Sequence, residues 1–362
     1  MELRKRGTPA TLAGIARDLG ISKMAVSKAM RGHLDIGEDT RRRVMKRAGQ
    51  LGYRANLTAR SLRFSETLLI GIVVPTFAHS FFSELVEGAS AALERHGYQA
   101  IVTVSGENAA REVRQIEALI ERQVDGLIVA SSQRADAYGI FGRLEQRQLP
   151  FVLVGRRVEG VAAAYAGVDN FAIGRRMTEH LISRGRKRIA HLSGPRNTTG
   201  ILRCDGYMAA LRDAGLRVPS TYIAGGGDTV AVVEPATRKL LQCGSRPDAI
   251  FCYNDQTAAA ALRVIQASGL RVPEDIAIAG VGNIRYADRL PAPLTTIDQQ
   301  PRAMGKTATT MLLAALAKGR MPAAREVILP ARLIIRESSG GNRLAEKMKS
   351  TTERKIHAKL SR

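Results

Sequence analysis

The first 65 residues carry hydrophobic positions at helical spacing. Ile15 and Leu19 fall on one face of a helix predicted over residues 12–19. Thr11 stands where a helix N-cap is expected, and Gly20 follows as a natural left-handed C-terminal turn. These signals predict a short helix that ends at a glycine.

Two further helices are predicted after this glycine, over residues 23–31, with Ser22 as the cap, and over residues 38–51. Their inward positions are Val26, Ala29 and Met30 on the former, and Val44, Ala48 and Leu51 on the latter. Two short helices joined by a three- or four-residue turn at a glycine are typical of a helix-turn-helix. The opposite face of the second helix presents Lys23, Met24, Ser27 and Lys28.

The chemistry of that opposite face suits DNA. A long cation reaches guanine edges or phosphates, a methionine packs on a thymine methyl, and a serine contacts bases or phosphates. Spacing alone leaves a second interpretation open, in which the segment is an ordinary helical hairpin with an exposed face that carries lysines.

From Thr67 onward, strand-like apolar runs alternate with amphipathic helices. The runs are LLIGIVVP, YQAIVTVS, VDGLIVA, PFVLVG, AYAGVD, RIAHLSG, DAIFCYN and IAIAGVG. This alternation predicts parallel sheets with helices on both faces, and its two rounds predict two doubly wound α/β subdomains. Ligands of such sheets bind beyond the carboxyl ends of the strands, so the sequence predicts a cleft between the two sheets.

Aromatic, amide, carboxylate and guanidinium side chains follow these strands. They are Phe77, Phe81 and Phe82, Arg156, Asp169, Arg203, and Asn254 with Asp255. Such a set suits a polyol, because rings stack on sugars and polar side chains bind adjacent hydroxyl groups. Other roles stay open for Asn254 or Asp255, which can cap the following helix, and for the phenylalanines, which can belong to the core.

The most informative feature of the composition is its excess of positive charge. The chain has 362 residues with 55 Lys and Arg against 33 Asp and Glu, a net charge of +22, and its 45% hydrophobic content excludes a disordered chain. Residues 1–65 hold 15 basic and 5 acidic side chains, and residues 340–362 hold 7 and 2. A polyanion is therefore the expected partner, and the last 23 residues are expected to form a loose basic tail.

Several functional classes are disfavoured by what the sequence does not contain. It has no apolar run long enough to span a membrane and no secretory signal, and its three cysteines suggest reduced thiols in a cytosol. It also lacks HExxH, CxxC, P-loop and GxSxG motifs, and Cys252 is expected to be a buried structural thiol. We expect neither an enzyme nor a bound cofactor or metal.

The segments TLAGIARDLGISKMAVSKAMRG, DTRRRV and LGYRANLTARSLR resemble the DNA-binding headpiece of the lactose-repressor (LacI/GalR-type) transcription regulators. The resemblance is dense over residues 11–63 and continues to about Glu337. It implies that Lys23 and Met24 begin the recognition helix and read bases in the major groove, with Ser27 and Lys28 on the same face. Further DNA contacts that it implies are Thr11, Ser22, His33 and Tyr53.

The same resemblance implies a hinge helix over residues 56–63, which begins at Asn56 and orders only on operator DNA. Leu62 matches the apolar wedge that enters the minor groove and kinks the duplex, and Ala59 would let two hinge helices approach. The chain departs from the family in having Ala55 where a proline is usual. This departure would loosen the hinge N-terminus in the free protein.

The remaining chain is similar to the family's effector-binding core, itself similar to periplasmic sugar-binding proteins. By this match the cleft would be lined by Phe77, Phe81, Arg156, Asp169, Arg203, Asn254, Asp255 and Asn283. A second departure lies at Gly282 and Asn283, where the family commonly has aspartates. An acceptor-only side chain is thereby lost, so a typical hexose or purine set cannot be assumed.

These observations predict four regions: a helix-turn-helix domain at 1–55, a hinge and linker at 56–66, a two-lobed effector core at 67–339, and a basic tail at 340–362. The predicted protein is a dimeric, cytoplasmic, nucleoid-associated repressor. It binds double-stranded operator DNA, and a sugar-like effector controls its operator affinity. A sugar-binding transport receptor and an enzyme are the alternatives from other classes.

Overall fold

The structure is a computed structural model of the chain that describes residues 11–30, 33, 35–53, 66–217 and 219–340. They divide into two compact units, with the boundary between Thr67 and Leu68. The predicted hinge residues Asn56, Ala59 and Leu62 lie outside the described residues, as does the tail after Gly340. The boundaries of the four predicted regions stay predictions.

The described part of the first unit contains three helices, α1 (Leu12–Leu19), α2 (Lys23–Met30) and α3 (Glu38–Gln50). The hydroxyl of Thr11 accepts a hydrogen bond from the backbone N–H of Gly14 at 3.0 Å, which caps α1. Gly20 has a φ of 66°, a left-handed conformation that glycine adopts without steric cost and that lets the chain turn into α2. The predicted helix-turn-helix is confirmed.

A small core holds these helices together, with Ile15, Val26 and Val44 fully buried at its centre. One predicted core position is wrong: Leu51 is 37% exposed. The reason is that α3 ends at Gln50, so Leu51 is the C-terminal cap and leaves the helical face.

The second unit has two lobes, and the first is built on a six-stranded parallel sheet in the order β11-β5-β4-β3-β1-β2. Its strands are β1 (Leu69–Val74), β2 (Gln99–Val104), β3 (Gly126–Val129), β4 (Phe151–Val154), β5 (Ala164–Gly167) and β11 (Glu326–Ile328). Its helices are α4 (Ser80–Glu94), α5 (Ala109–Glu121), α6 (Ile140–Gln146) and α11 (Pro301–Leu316).

The second lobe is built on a four-stranded parallel sheet in the order β7-β6-β8-β9. Its strands are β6 (Ile189–Ser193), β7 (Ile223–Gly225), β8 (Ala249–Cys252) and β9 (Ala277–Ala279). Its helices are α7 (Asn170–Ser183), α8 (Thr198–Asp213), α9 (Val230–Leu241) and α10 (Asp255–Ala267). Strands β10 (Thr296–Asp298) and β12 (Arg332–Ile334) form a separate antiparallel pair.

The predicted fold class, a helix-turn-helix headpiece with an α/β core of parallel sheets, is confirmed. The sequence did not reveal every element: α9 contains Pro235, which ordinarily disfavours a helix interior, and β7 is only three residues long. No helix in the described part of the chain is long and apolar enough to cross a bilayer.

Glycines allow two helix pairs to approach closely, α4 with α11 and α7 with α8. In the second lobe, a Cβ added to Gly174 would lie 2.1 Å from the backbone oxygen of Arg203, and Gly206 approaches α7 as closely. Gly88 and Gly305 have the same role in the first lobe. The close contact at Gly174 fixes the backbone from which Arg203 projects.

Candidate functional site

The exposed face of α2 is formed by the residues that the sequence predicted. Met24 is 66% exposed and Lys23 is also exposed, whereas Val26 and Ala29 are buried. Ser27 and Lys28 are half-buried, and the ammonium of Lys28 forms an ion pair with Asp35. Met24 and Lys23 are thus exposed as the sequence predicted, and base contact by them stays a prediction.

The other predicted DNA contacts have local structural roles. The hydroxyl of Ser22 accepts a hydrogen bond from Ala25 N at 3.0 Å and Thr11 caps α1, yet both residues are exposed. His33 is exposed, and its carbonyl accepts a hydrogen bond from Arg41. Tyr53 is half-buried against the small core. DNA contact by these four residues stays a prediction.

A cleft separates the two lobes of the second unit, with about 540 Å³ between its walls, open solvent at the mouth included. Its position beyond the strands' carboxyl ends is the one predicted for such sheets. The cleft brings together five of the predicted effector residues: Phe81, Arg156, Arg203, Asn254 and Asp255. The structure adds His79, Phe82, Thr199, Asp228, Tyr253 and Gln299, among others.

Arg203 is buried at the base of the cleft, 3% exposed. Its guanidinium donates to Asn170 Oδ1 at 3.0 Å, to the Tyr253 carbonyl at 2.7 Å and to Gln299 Oε1 at 2.8 Å. The guanidinium carbon also lies 5.0 Å from the centre of the Tyr253 ring. Burial lowers the pKa of Arg203. These contacts hold the side chain in one orientation.

Arg156 is the second buried arginine of the cleft, but it has a carboxylate partner. Two of its nitrogens donate to the two oxygens of Glu107, each at 2.7 Å. Burial acts to lower the pKa of Arg156, but the hydrogen bonds and charge of Glu107 outweigh it and the pKa is raised. The ring of Phe82 lies 5.4 Å from its guanidinium carbon. This bidentate pair neutralises the charge within the first lobe.

Asp255 and Asn254 begin α10 at the edge of the cleft. Asn254 caps α10 by accepting from Thr257 N at 2.8 Å, the structural role that the sequence left open. Asp255 is fully buried and accepts from the Thr296 hydroxyl at 2.6 Å and from Ile284 N at 3.0 Å. Burial raises the pKa of Asp255 to about 6, with these two hydrogen bonds opposing the shift.

His79 and Asp228 connect the two lobes across the cleft. His79 Nε2 lies 3.1 Å from Asp228 Oδ2, and their side chains are only 14% and 12% exposed. Burial acts to raise the pKa of Asp228, but the hydrogen bond and charge of His79 dominate and the pKa is lowered. Gln256 adds a second link by donating to the carbonyl of Ala78.

Three predicted effector residues do not line this cleft. Phe77 is 48% exposed. Asp169 caps α7 by accepting from Ala172 N at 2.9 Å, and it borders a separate groove beside Pro330. Asn283 turns its amide oxygen to Arg336, which donates to it at 2.9 Å.

Some cleft residues were missed, although the sequence held signals for part of them. His79 lies in the segment after β1, and Tyr253 lies in the run DAIFCYN that the sequence singled out. Asp228 follows β7, a strand too short to be recognised. Within the described ranges, no group of histidines, cysteines and carboxylates could hold a metal ion.

Comparison with known families resolves the class of protein. Residues 67–337 match the family of periplasmic binding proteins and the sugar-binding domain of the LacI family, which by itself admits a transport receptor. Residues 11–56 match the bacterial regulatory proteins of the lacI family. The chain belongs to the LacI family. It is therefore a helix-turn-helix DNA-binding transcription regulator rather than an enzyme or a transport receptor.

Relatives of this LacI-family protein align with nearly its whole length. The transcriptional regulator CelR of Thermobifida fusca is 32% identical over 93% of this chain and 100% of its own length. The transcriptional repressor CytR of Escherichia coli K12 is 30% identical, with 94% and 99% covered. A lac repressor dimer bound to operator and an anti-inducer superposes with a TM-score of 0.82 at 25% identity, with 92% of this chain and 99% of that chain covered. A CelR–cellobiose complex superposes with a TM-score of 0.69 at 29% identity. The match covers 91% of this chain and 99% of that chain.

Proposed function

We propose that a small molecule bound in the cleft controls the affinity of the first unit for operator DNA. The observation that carries this proposal is the cleft itself, which joins buried polar side chains of both lobes around Arg203. A ligand that contacts both lobes favours one relative arrangement of them over another. It can then shift the equilibrium between two core states by its differential affinity, typically 1–3 kcal/mol.

On the DNA side, the exposed face of α2 supports base reading by Lys23 and Met24. Ser27 and Lys28 would contact bases or phosphates beside them, with Lys28 exchanging Asp35 for a phosphate. Thr11, Ser22, His33 and Tyr53 would position the unit on the backbone. Asn56, Ala59 and Leu62 would act in the hinge, by resemblance alone.

On the ligand side, we propose a sugar or sugar derivative. The aromatic ring of Phe81 and the polar groups of Arg156, Arg203, Asn254 and Asp255 supply stacking and hydrogen bonds. Phe77, Asp169 and Asn283 would contribute only if the lobes rearrange. The similar CelR–cellobiose complex supports this class of ligand.

The assembly that we propose is a homodimer acting as a repressor on a near-palindromic site, as supported by the operator-bound lac repressor dimer. Its place of action would be the cytoplasm, in association with the nucleoid.

The test begins with selection of the preferred duplex from a random pool, using the full chain. Gel-shift titration then compares binding of that duplex and of a scrambled one, with and without candidate sugars. It measures both sequence-specific DNA binding and its response to a ligand. We expect Arg203→Ala to keep operator binding and lose the ligand response. Equal affinity for selected and scrambled DNA would contradict the DNA proposal, and an unchanged ligand response would remove Arg203 from the site.

A further inference from the structure

The first two turns of α8 direct two buried side chains at the cleft. Thr199 and Arg203 are separated by four residues, so they share one face of the helix. Both line the cleft, and they are 6% and 3% exposed. A ligand at the base of the cleft would meet them together.

Arg203 is a buried cation whose acceptors are all uncharged. The described acceptors of its guanidinium are an asparagine oxygen, a backbone carbonyl and a glutamine oxygen. A guanidinium has five N–H donors. These three hydrogen bonds orient the group and leave two of its donors for other acceptors. A buried charge without a counter-charge is costly, which makes an incoming anion favourable here.

The carboxylates around the cleft form ion pairs or hydrogen bonds with residues other than Arg203. Glu107 is bound by Arg156, and Asp228 is bound by His79. Asp255 accepts hydrogen bonds through both of its oxygens, from Thr296 and from Ile284. Among the described residues, Arg203 has no carboxylate within ion-pair distance, and the charge of Asp255 acts on it only from farther away.

Thr199 supplies an independent observation that points to a ligand. Its hydroxyl oxygen is buried and has no hydrogen-bond partner in the described structure. Buried hydroxyl groups are ordinarily paired, so an unpaired one in a cleft wall is available to a bound molecule. The N-terminal end of α8 adds partial positive charge at the same place.

The neighbouring loop offers no compensating acidic acceptor. Gly282 borders the cleft without a side chain, and the amide oxygen of Asn283 is occupied by Arg336. This loop therefore adds no acidic side chain to the cleft lining beyond Asp228 and Asp255.

We propose that the effector carries a carboxylate, as an oxidised sugar does, and that Arg203 and Thr199 bind that group. The inference rests on the proposed function of the cleft and specifies its ligand class. A carboxylate matches one unpaired cation in charge and matches a guanidinium in planar geometry. A phosphate monoester carries about −1.5 to −2 charges at neutral pH, more than this single cation neutralises.

Matched pairs of ligands test the proposal on the full-length protein. Isothermal titration would compare D-glucuronate with D-glucose and D-galacturonate with D-galactose, with D-gluconate and D-glucose 6-phosphate as further arms. We expect at least one acid to bind with a Kd at least about tenfold below that of its neutral partner, the effect of one charge-assisted hydrogen bond. Tighter binding of a neutral sugar or of the sugar phosphate, or no binding of any acid, would overturn it.

Variants then separate the carboxylate site from general damage. Arg203→Gln keeps hydrogen-bonding groups without the charge, and Thr199→Val keeps the shape without the hydroxyl. We expect Arg203→Gln to weaken acid binding about 10- to 100-fold and Thr199→Val to weaken it about fivefold, with much smaller effects on any neutral sugar. Arg175→Gln is the control, because Arg175 is an exposed arginine on α7 that pairs with Glu179.

The outcomes distinguish this inference from the function on which it rests. Equal losses for acid and neutral ligands in Thr199→Val would overturn the carboxylate site even if Arg203→Gln failed to fold. If a neutral sugar released the protein from operator DNA, the proposed regulatory function would be supported and the carboxylate proposal would be contradicted.

Discussion

His79 Nε2 lies 3.1 Å from Asp228 Oδ2, and this contact joins the two lobes across the cleft. Asp228 also lies 3.4 Å from the amide nitrogen of Asn254 on its own lobe. One carboxylate thus connects the segment after β1 with the segments after β7 and β8. The contact favours this arrangement of the lobes over one in which the lobes have moved apart.

We expect Asp228→Ala to weaken closure. Removing a hydrogen bond to a charged group at a mostly buried site costs about 1.5–3 kcal/mol, which corresponds to roughly a 10- to 150-fold rise in the open population. Hydrogen exchange followed by mass spectrometry should show faster exchange at residues 76–82 and 226–229. The control is Glu179→Ala, which breaks an exposed pair on α7. Unchanged exchange in both segments would show that the contact does not restrain the lobes.

The exposed face of α2 gives a prediction for DNA recognition. Met24→Ala and Lys23→Ala should change which operators are preferred, with about 1–3 kcal/mol lost at the affected base pairs. Competitive selection on a randomised duplex measures this preference. Met45→Ala is a matched control, because Met45 is 53% exposed on α3 of the same unit. Equal losses on all duplexes would assign both residues to non-specific contact.

The close approach of α7 and α8 predicts a large effect of one methyl group. In Gly174→Ala the new Cβ would lie 2.1 Å from the Arg203 carbonyl oxygen, so the helices must separate. We expect a loss of about 1–3 kcal/mol in the free energy of unfolding, measured by urea denaturation. Gly142→Ala in α6 is the control, since nothing lies within 4 Å of the added Cβ. That variant should be neutral or about 0.5–1 kcal/mol more stable, and equal stabilities for both would contradict the packing argument.

The buried carboxyl of Asp255 predicts a pH dependence of stability. Its pKa is raised from 3.8 to about 6 by burial, so the folded protein holds this proton more tightly than the unfolded chain. The associated stability is present below about pH 4 and is lost as the pH rises through about 6. Asp255→Asn cannot titrate, so its stability relative to the wild type should rise between pH 4 and 7, on the order of 2 kcal/mol.

Urea denaturation at several pH values measures this difference. Asp213→Asn serves as the control, because Asp213 is 51% exposed and pairs only at the surface with Arg175. A pH-independent difference between Asp255→Asn and the wild type would contradict the raised pKa.

The sequence by itself determined the described helices of the first unit almost completely. Helix caps at Thr11 and Ser22, the glycine turn and the spacing of Ile15, Val26 and Val44 are all local signals within one or two helical turns. The error at Leu51 was also local, since one residue decides where a helix ends. The alternation of strands and helices likewise determined the fold class of the second unit. The spacing of apolar residues within each segment shows which of its faces is buried, and this spacing differs between helices and strands.

Only the tertiary structure decided which polar residues meet. Arg203 gains acceptors that are 33, 50 and 96 residues away in the chain, and Asp228 meets His79 from the other lobe. Asp169 and Asn283 follow strands as the pattern required, yet one caps a helix beside another groove and the other binds Arg336. Periodicity reports which face of an element is buried, whereas the partner of a buried charge depends on how distant elements pack, which no local pattern contains.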